Sequence, residues 1–180
     1  VPTVQARAAW QWQAAGEAKG ALGVSGHWGQ ERLKEELGDL DPDFDSWSVN
    51  LDLRIPVGNG SAFELELWQG ANLDDYLGGI GQGINRARAE EIEASGGWLG
   101  FENGPWRQWL FSAGVGIDDP DDEDLAPGSR SRNVTAWVNG IRQFPYSIRA
   151  GLEVSYWSTD YLDAEDGESL RVQASFIYDF

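Results

Sequence analysis

The chain has 180 residues, 41% of them hydrophobic, and its 30 acidic side chains outnumber 13 basic ones to give a net charge of −17 at pH 7. This balance excludes the clusters of Lys and Arg that bind nucleic acid or an anionic membrane surface, so we expect no nucleic-acid partner. The absence of cysteine excludes a disulfide framework and a thiolate metal site. No apolar run approaches the roughly 18 residues of a membrane-spanning helix, whereas a barrel strand needs only about 9 to 11 residues with every second one apolar.

Nine segments of the chain alternate between apolar and polar residues, a pattern that predicts strands with two different faces. The first segment puts Trp10 and Trp12 on one face, and Arg7 and Gln11 on the other. The fifth segment is ambiguous because its glycines blur the two faces. The nine predicted strands cover residues 4–13, 21–29, 46–55, 62–68, 92–101, 108–117, 133–141, 147–161 and 169–180.

The last predicted strand, residues 169–180, shows the alternation clearly and raises the question of what its apolar face contacts. Leu170, Val172 and Phe176 share one face, and only Ile177 interrupts the polar residues of the other. In a soluble sandwich the apolar face packs against a second sheet. In an outer-membrane barrel it contacts lipid, while the polar face lines the lumen.

The connections between the predicted strands alternate regularly between short and long. The short ones are residues 14–20, 57–60, 103–106 and 143–146, and the long ones are residues 30–45, 70–91, 118–133 and 162–168. With the last one counted from Asp160, the long connections hold 22 of the 30 acidic residues, so one rim of the molecule is predicted to be strongly acidic. A membrane barrel with tight turns at one rim and surface loops at the other has this arrangement, whereas a Greek-key sandwich gives no reason for it.

The aromatic residues concentrate near both ends of the predicted strands, with aliphatic residues between them. Two such belts are expected where a barrel crosses the two membrane interfaces. The belt near the short connections comprises Trp10, Trp12, Trp109, Tyr178 and Phe180, and the belt near the long connections comprises Trp28, Trp47, Trp68 and Trp157.

Several stretches of the sequence resemble porin-type bacterial outer-membrane proteins. They are the terminal strand RVQASFIYDF with its final Phe180, and the blocks GVGIDDPDDEDL, GLEVSYWSTDY and LGGIGQGIN. The resemblance implies a transmembrane β-barrel in the outer membrane, in contact with lipid and lipopolysaccharide. It also implies that the C-terminal strand is recognised by the barrel assembly machinery, and that the protein can form a homotrimer.

The predicted fold class is therefore all-β, an antiparallel up-and-down transmembrane barrel in which residues 1–180 form a single domain or the C-terminal part of one. Barrels of this type have an even number of strands, and nine are predicted here. Because the chain also lacks methionine, we expect it to be processed or truncated, and to belong to a larger barrel of about 16 or 18 strands. An eight-stranded barrel with one miscounted segment is the alternative.

The candidate pore-lining residues share the polar faces of the predicted strands. Their mixture of acids and arginines predicts a transverse field that selects small polar solutes, and the acidic rim predicts a weak preference for cations. The function predicted for such a barrel is passive diffusion of small hydrophilic solutes without catalysis. The principal candidates are Arg7, Gln11, Asn50, Asp52, Arg54, Glu64, Glu66, Asn139, Arg149, Glu153, Arg171 and Gln173.

Three other features of the sequence bear on chemistry or on the shape of the pore. His27 is the only histidine, and without a recognisable catalytic motif around it we expect it to line the lumen rather than act in an enzyme. The cluster Asp118, Asp119, Asp121, Asp122 and Asp124 offers hard oxygen ligands for calcium, although it lacks the spacing of an EF-hand and a solvated acidic loop is the default. Otherwise no cofactor is expected. The long connection 70–91 is expected to fold inward and narrow the pore.

Two other functions remain compatible with the sequence. One is a barrel with a closed interior that acts structurally or through its acidic loops. The other is a soluble, secreted β-sandwich that binds carbohydrate through its tryptophans.

Overall fold

The computed structural model describes residues 2–14, 18–32, 43–58 and 60–180. Part of the connection 14–20 and most of the acidic connection 30–45 lie outside the described residues. The strands are β1 (Val4–Gln13), β2 (Lys19–Arg32), β3 (Asp43–Gly58), β4 (Ser61–Ala71), β5 (Ile84–Asn85), β6 (Glu90–Glu91), β7 (Glu93–Trp106), β8 (Trp109–Pro120), β9 (Arg130–Phe144), β10 (Ile148–Tyr161) and β11 (Gly167–Tyr178).

Nine of these strands form one antiparallel sheet in chain order, β1-β2-β3-β4-β7-β8-β9-β10-β11, while β5 and β6 pair separately. Each long strand thus pairs with its neighbours in sequence, which is the topology of an up-and-down meander. The predicted number and order of strands are confirmed, and the alternative of a miscounted segment is wrong. Most strands extend beyond their predicted ends because the ladder continues past the alternating pattern, as in the pairing of Arg32 with Asp43.

The apolar face of the sheet is more exposed than the polar face, which is the reverse of the arrangement in a soluble protein. On β8, for example, the apolar Phe111, Val115 and Ile117 are 40–54% exposed, whereas the alternate residues Ser112 and Gly114 are half-buried. Side chains crowd together on the concave side of a curved sheet and spread apart on its convex side. The polar face is therefore the concave one, and the apolar face is convex and open.

Among the described residues, no second sheet packs over the apolar face. The soluble sandwich considered from the sequence requires such a sheet, so the structure does not support it. Within the described ranges there is also no helix with the length and hydropathy needed to cross a bilayer.

The connection between β4 and β7, residues 72–92, turns back over the concave face instead of extending away from the sheet. It contains two 3₁₀ turns, Asp74–Tyr76 and Gly79–Gly81, and the small β5–β6 ladder. Its ends are anchored by the buried side chains of Leu73 and Ile92, which are 3% and 4% exposed. This connection is called the inward loop below.

Candidate pore-lining face

The strand register places all twelve predicted pore-lining residues on the concave face. Arg7 lies opposite Ser25 on β2, Ser25 opposite Asn50 on β3, and Asn139 opposite Glu153 on β10. Because side chains alternate between faces along each strand, these pairings fix the face of every other residue in the set. The period-two prediction of a shared face is therefore confirmed, and the lining of a pore stays a prediction.

The first half of the concave face carries two groups of ion pairs, to which four strands contribute side chains. Arg7 makes a bidentate contact with Asp52, with Nη2 to Oδ2 at 2.7 Å and Nε to Oδ1 at 3.2 Å. Arg54 pairs with Glu64 and lies 3.7 Å from Glu102 Oε1 through Nη2. These pairs are partly exposed, so they fix side-chain positions more than they stabilise the fold. Glu102 was missed because its strand has a blurred pattern.

The second half of the face holds a separate polar cluster. Ser112 donates a hydrogen bond to Asn139 Oδ1 at 2.7 Å, and Asn139 Nδ2 donates to Glu153 Oε2 at 3.2 Å. Arg171 donates to Gln173 on the edge strand β11. The predicted residues are thus divided among several separate groups rather than gathered in one constriction.

Three predicted residues contact partners outside those groups, and one lies at the edge of the face. Arg149 Nη2 lies 3.1 Å from Asp179 Oδ1, near the short-connection rim. Asn50 donates to Ser48 Oγ at 2.9 Å, and Glu66 accepts a hydrogen bond from Trp98 Nε1 at 3.2 Å. Gln11 lies on β1 opposite Ala21.

His27 lies on the concave face, as predicted, but the inward loop covers it. Its exposed fraction is 9%, and its ring stacks on Tyr76 with centroids 3.9 Å apart. Both ring nitrogens contact hydroxyls, Nδ1 with Ser48 Oγ at 2.8 Å and Nε2 with Ser46 Oγ at 3.0 Å. His27 therefore anchors the loop in this structure, and it also lines a recess beside the loop.

The inward loop also contacts strands on the far side of the face. Ile80 N donates to Asp118 Oδ2 at 2.8 Å, and Gln82 Nε2 donates to the carbonyl of Arg130 at 2.8 Å. The prediction that this connection folds inward is confirmed. Two of the recesses beside it, of about 800 Å³ and about 390 Å³, are both lined in part by Trp68, Leu77 and Trp98.

The predicted aromatic belts are distributed between both faces of the sheet. Trp28 pairs with Val4 and Trp47, and Trp109 contacts Arg142, whose Cζ lies 5.8 Å from the ring centroid. Phe180 follows β11 and is fully exposed. The belt residues on the convex, apolar face are Trp10, Trp12, Trp28, Trp47, Trp109 and Tyr178.

The prediction that Trp68 and Trp157 belong to a belt at the membrane interface, and so lie on the lipid-facing side, is wrong. Trp68 lies opposite Asn50, and Trp157 lies opposite Thr135, so both are on the concave face. Trp157 Nε1 donates to Ser155 Oγ on the same face at 3.0 Å. The signal was present in the sequence, because both tryptophans have the parity of polar residues in their own strands, Glu66 for Trp68 and Glu153 for Trp157.

The acidic residues considered for calcium are not gathered into a ligand set. Asp118 accepts a hydrogen bond from the inward loop, Asp121 Oδ1 accepts from Glu123 N at 2.9 Å, and Asp124 Oδ2 accepts from Glu93 N at 3.0 Å. In the part of the chain that the structure describes, no three His, Cys, Asp or Glu side chains are placed to hold a metal ion. The structure gives calcium no support at Asp118, Asp119, Asp121, Asp122 or Asp124.

Comparison with known proteins places this geometry in a structural class. Neither the protein-family models nor the curated proteins contain a match to the chain. Among solved structures, the chain is similar to the outer membrane channel DcaP of Acinetobacter baumannii, with a TM-score of 0.73 and 17% sequence identity. The match covers 97% of this chain and 54% of that one, so the chain spans about half the length of this neighbour. The chain has the fold of an outer-membrane channel barrel.

Proposed function

We propose that this chain forms part of the wall of a porin-like channel in the bacterial outer membrane, through which small hydrophilic solutes diffuse passively. The observation that carries the proposal is the reversed exposure of the sheet, with its apolar face open and convex and its polar face concave. Exposing Val49, Val138 and Leu152 at 55–57% to water would be unfavourable along the whole sheet. Contact with acyl chains removes that cost, and the concave face then borders water.

The aromatic side chains of the convex face support membrane contact. Trp10 is 65% exposed and lies toward the short-connection end, whereas Trp28 is 45% exposed and lies toward the long-connection end. Tryptophan and tyrosine prefer the level of the lipid headgroups. Arg142, stacked between Trp109 and Phe144, supplies a cation for lipid phosphate at the short-connection end.

The concave face supports selection of small polar solutes. Its carboxylates outnumber its arginines, and the ion pairs hold both kinds of charge in fixed positions, which favours a transverse field and a weak preference for cations. The carboxylates include Glu31, Asp52, Glu64, Glu66, Glu102, Asp118 and Glu153, and the cations include Arg7, Lys19, Arg54, Arg149 and Arg171.

The partners that we propose follow from the same placement. Lipid and lipopolysaccharide contact the convex face. The barrel assembly machinery recognises β11, an edge strand that is exposed along almost its whole length. Assembly as a homotrimer is proposed from the resemblance to porins.

The test is conductance of the purified protein reconstituted in planar lipid bilayers. We expect discrete conductance steps, a reversal potential in a KCl gradient that indicates weak cation preference, and migration on a gel that changes with heating. Anion preference would overturn the selectivity. A folded, heat-modifiable protein without conductance would favour a closed structural barrel. The observation that favours this alternative is the inward loop, which crosses the concave face.

A further inference from the structure

Four tryptophans lie on the concave face, where a pore lined only by polar groups would have none. The register places Trp98 opposite Glu66 on β4 and Trp137 opposite Ser155 on β10, beside Trp68 and Trp157, already described. Three of them, Trp68, Trp98 and Trp137, line the same recess of about 390 Å³. We call these three residues the aromatic platform.

The rings of the platform lie against the wall because glycines on the neighbouring strands make room for them. A Cβ built on Gly96 would overlap the Trp68 ring, and one built on Gly114 would overlap the Trp137 ring. Trp98 meets Trp137 edge to face, with centroids 6.5 Å apart and planes at 62°. The Trp68 and Trp137 rings therefore lie over glycine backbone, and all three rings line the recess.

The polar groups beside the platform suit a ligand with hydroxyls. Asn133 Oδ1 accepts a hydrogen bond from Thr159 at 2.8 Å, so its amide nitrogen is the group that remains to donate. Thr135 Oγ1 donates to the carbonyl of Tyr156 at 3.3 Å and keeps its lone pairs to accept. Asp118 and Asn133 both line the recess, and none of the described residues that line it is Lys or Arg. The recess therefore offers no cationic side chain for direct contact with an anionic solute.

The shape of the platform separates a sugar from a simple cation. Aromatic sites for cations surround the charge with several ring faces. Here the rings are spread along the wall on three different strands and are inclined to one another, so that successive pyranose rings can each place a flat C–H face on a separate indole. Leu77, which is 91% exposed at the tip of the inward loop, lines the recess and adds an apolar contact.

We infer that the aromatic platform binds neutral pyranose sugars, with their ring faces stacked on Trp68, Trp98 and Trp137 and their hydroxyls bonded to Asp118, Asn133 and Thr135. This inference rests on the proposed channel function and names its substrate class. Such a surface guides a ring-shaped solute along the wall by weak, repeated contacts, which is what a passive channel requires.

The experiment measures block of the ion current by added maltotriose in planar bilayers, with sorbitol, an open-chain polyol, as the matched solute. We expect block that saturates with maltotriose and not with sorbitol. Replacing Trp137→Ala should raise the half-blocking concentration by about 2- to 13-fold, since one aromatic contact contributes about 0.5–1.5 kcal/mol. Trp10→Ala, on the convex face, is the control and should leave the block unchanged.

Several outcomes would overturn the inference while leaving a channel in place. They are the absence of maltotriose block in an open channel, equal block in Trp137→Ala and the unchanged protein, or block by tetramethylammonium in place of sugar. Absence of conductance would instead count against the channel function. In that case a change in tryptophan fluorescence of the detergent-solubilised protein with maltotriose, lost in Trp137→Ala, would still support the platform, and no change would overturn it.

Discussion

Tyr76 of the inward loop stacks on His27 of β2, with ring centroids 3.9 Å apart and planes inclined by 19°. Tyr76 lies 49 positions further along the chain than His27, and the contact holds the loop over the concave face. His27 is itself held by the two serines of β3. On the β2 side, the loop is therefore held by one ring contact supported by a small hydrogen-bonded group, while Ile80 and Gln82 hold it to the strands on the far side.

Replacing Tyr76→Ala should release this side of the inward loop and widen the channel. We expect a larger single-channel conductance in planar bilayers, because the loop then obstructs the concave face less. Tyr146→Ala is the matched control, since Tyr146 is 87% exposed in a turn at the opposite rim. Equal conductance in the two variants would show that the loop does not narrow the pathway.

Neutralising Arg7 and neutralising Asp52, which form an ion pair, should shift ion selectivity in opposite directions. Arg7→Gln leaves Asp52 unpaired on the concave face and should increase cation preference, whereas Asp52→Asn should decrease it. The measurement is the reversal potential in a salt gradient. Arg142→Gln removes a positive charge from the convex face and should leave the potential unchanged. A shift equal to that of Arg7→Gln would place both arginines on the same aqueous surface.

Placing a charge on the convex face should be costly if lipid covers it. Val115→Arg, at the middle of β8, is expected to destabilise the folded protein by about 2–4 kcal/mol in lipid vesicles. Gln173→Arg, on the polar face of β11, is the control and should be tolerated. Urea unfolding in vesicles measures both variants. A neutral Val115→Arg variant would indicate that this face is in water.

Gly114→Ala should destabilise the protein, because the new methyl group would occupy the space of the Trp137 ring. Overpacking of this kind costs about 1–3 kcal/mol. Gly116→Ala lies on the same strand and face, where its nearest contact, Thr135 Cγ2, is at 3.2 Å, and it should cost less. The difference in urea midpoint between the two variants tests the ring position, and identical midpoints would contradict it.

The period-two pattern was sufficient to predict the strands, their order and the face of residues such as Arg7 and Glu153. It failed for Trp68 and Trp157 because every tryptophan was counted as apolar. In both strands the tryptophan lies an even number of positions from a glutamate, and therefore on the same face as that glutamate. Trp98 was lost for a different reason, since Gly96, Gly97 and Gly100 leave too few side chains in its strand to define the faces.

The period-two pattern could not predict contacts between distant parts of the chain. Arg54 on β3 approaches Glu102 on β7 across the one strand between them, β4, and Tyr76 reaches His27 from a loop. Local alternation carries no information on such pairings, because they depend on register and on the direction in which a connection turns. The glycines of the inward loop indicated an unusual path but not its contacts.

The seating of Trp137 against Gly114, and of Trp68 against Gly96, ties each ring to the absence of a side chain on the next strand. Neither partner is then free to change alone: a larger residue in place of the glycine displaces the ring, and a smaller one in place of the tryptophan leaves a gap beside it. Among homologues of this chain, the two positions of each pair should therefore be exchanged together, and the joint substitutions would be visible as covariation between neighbouring strands.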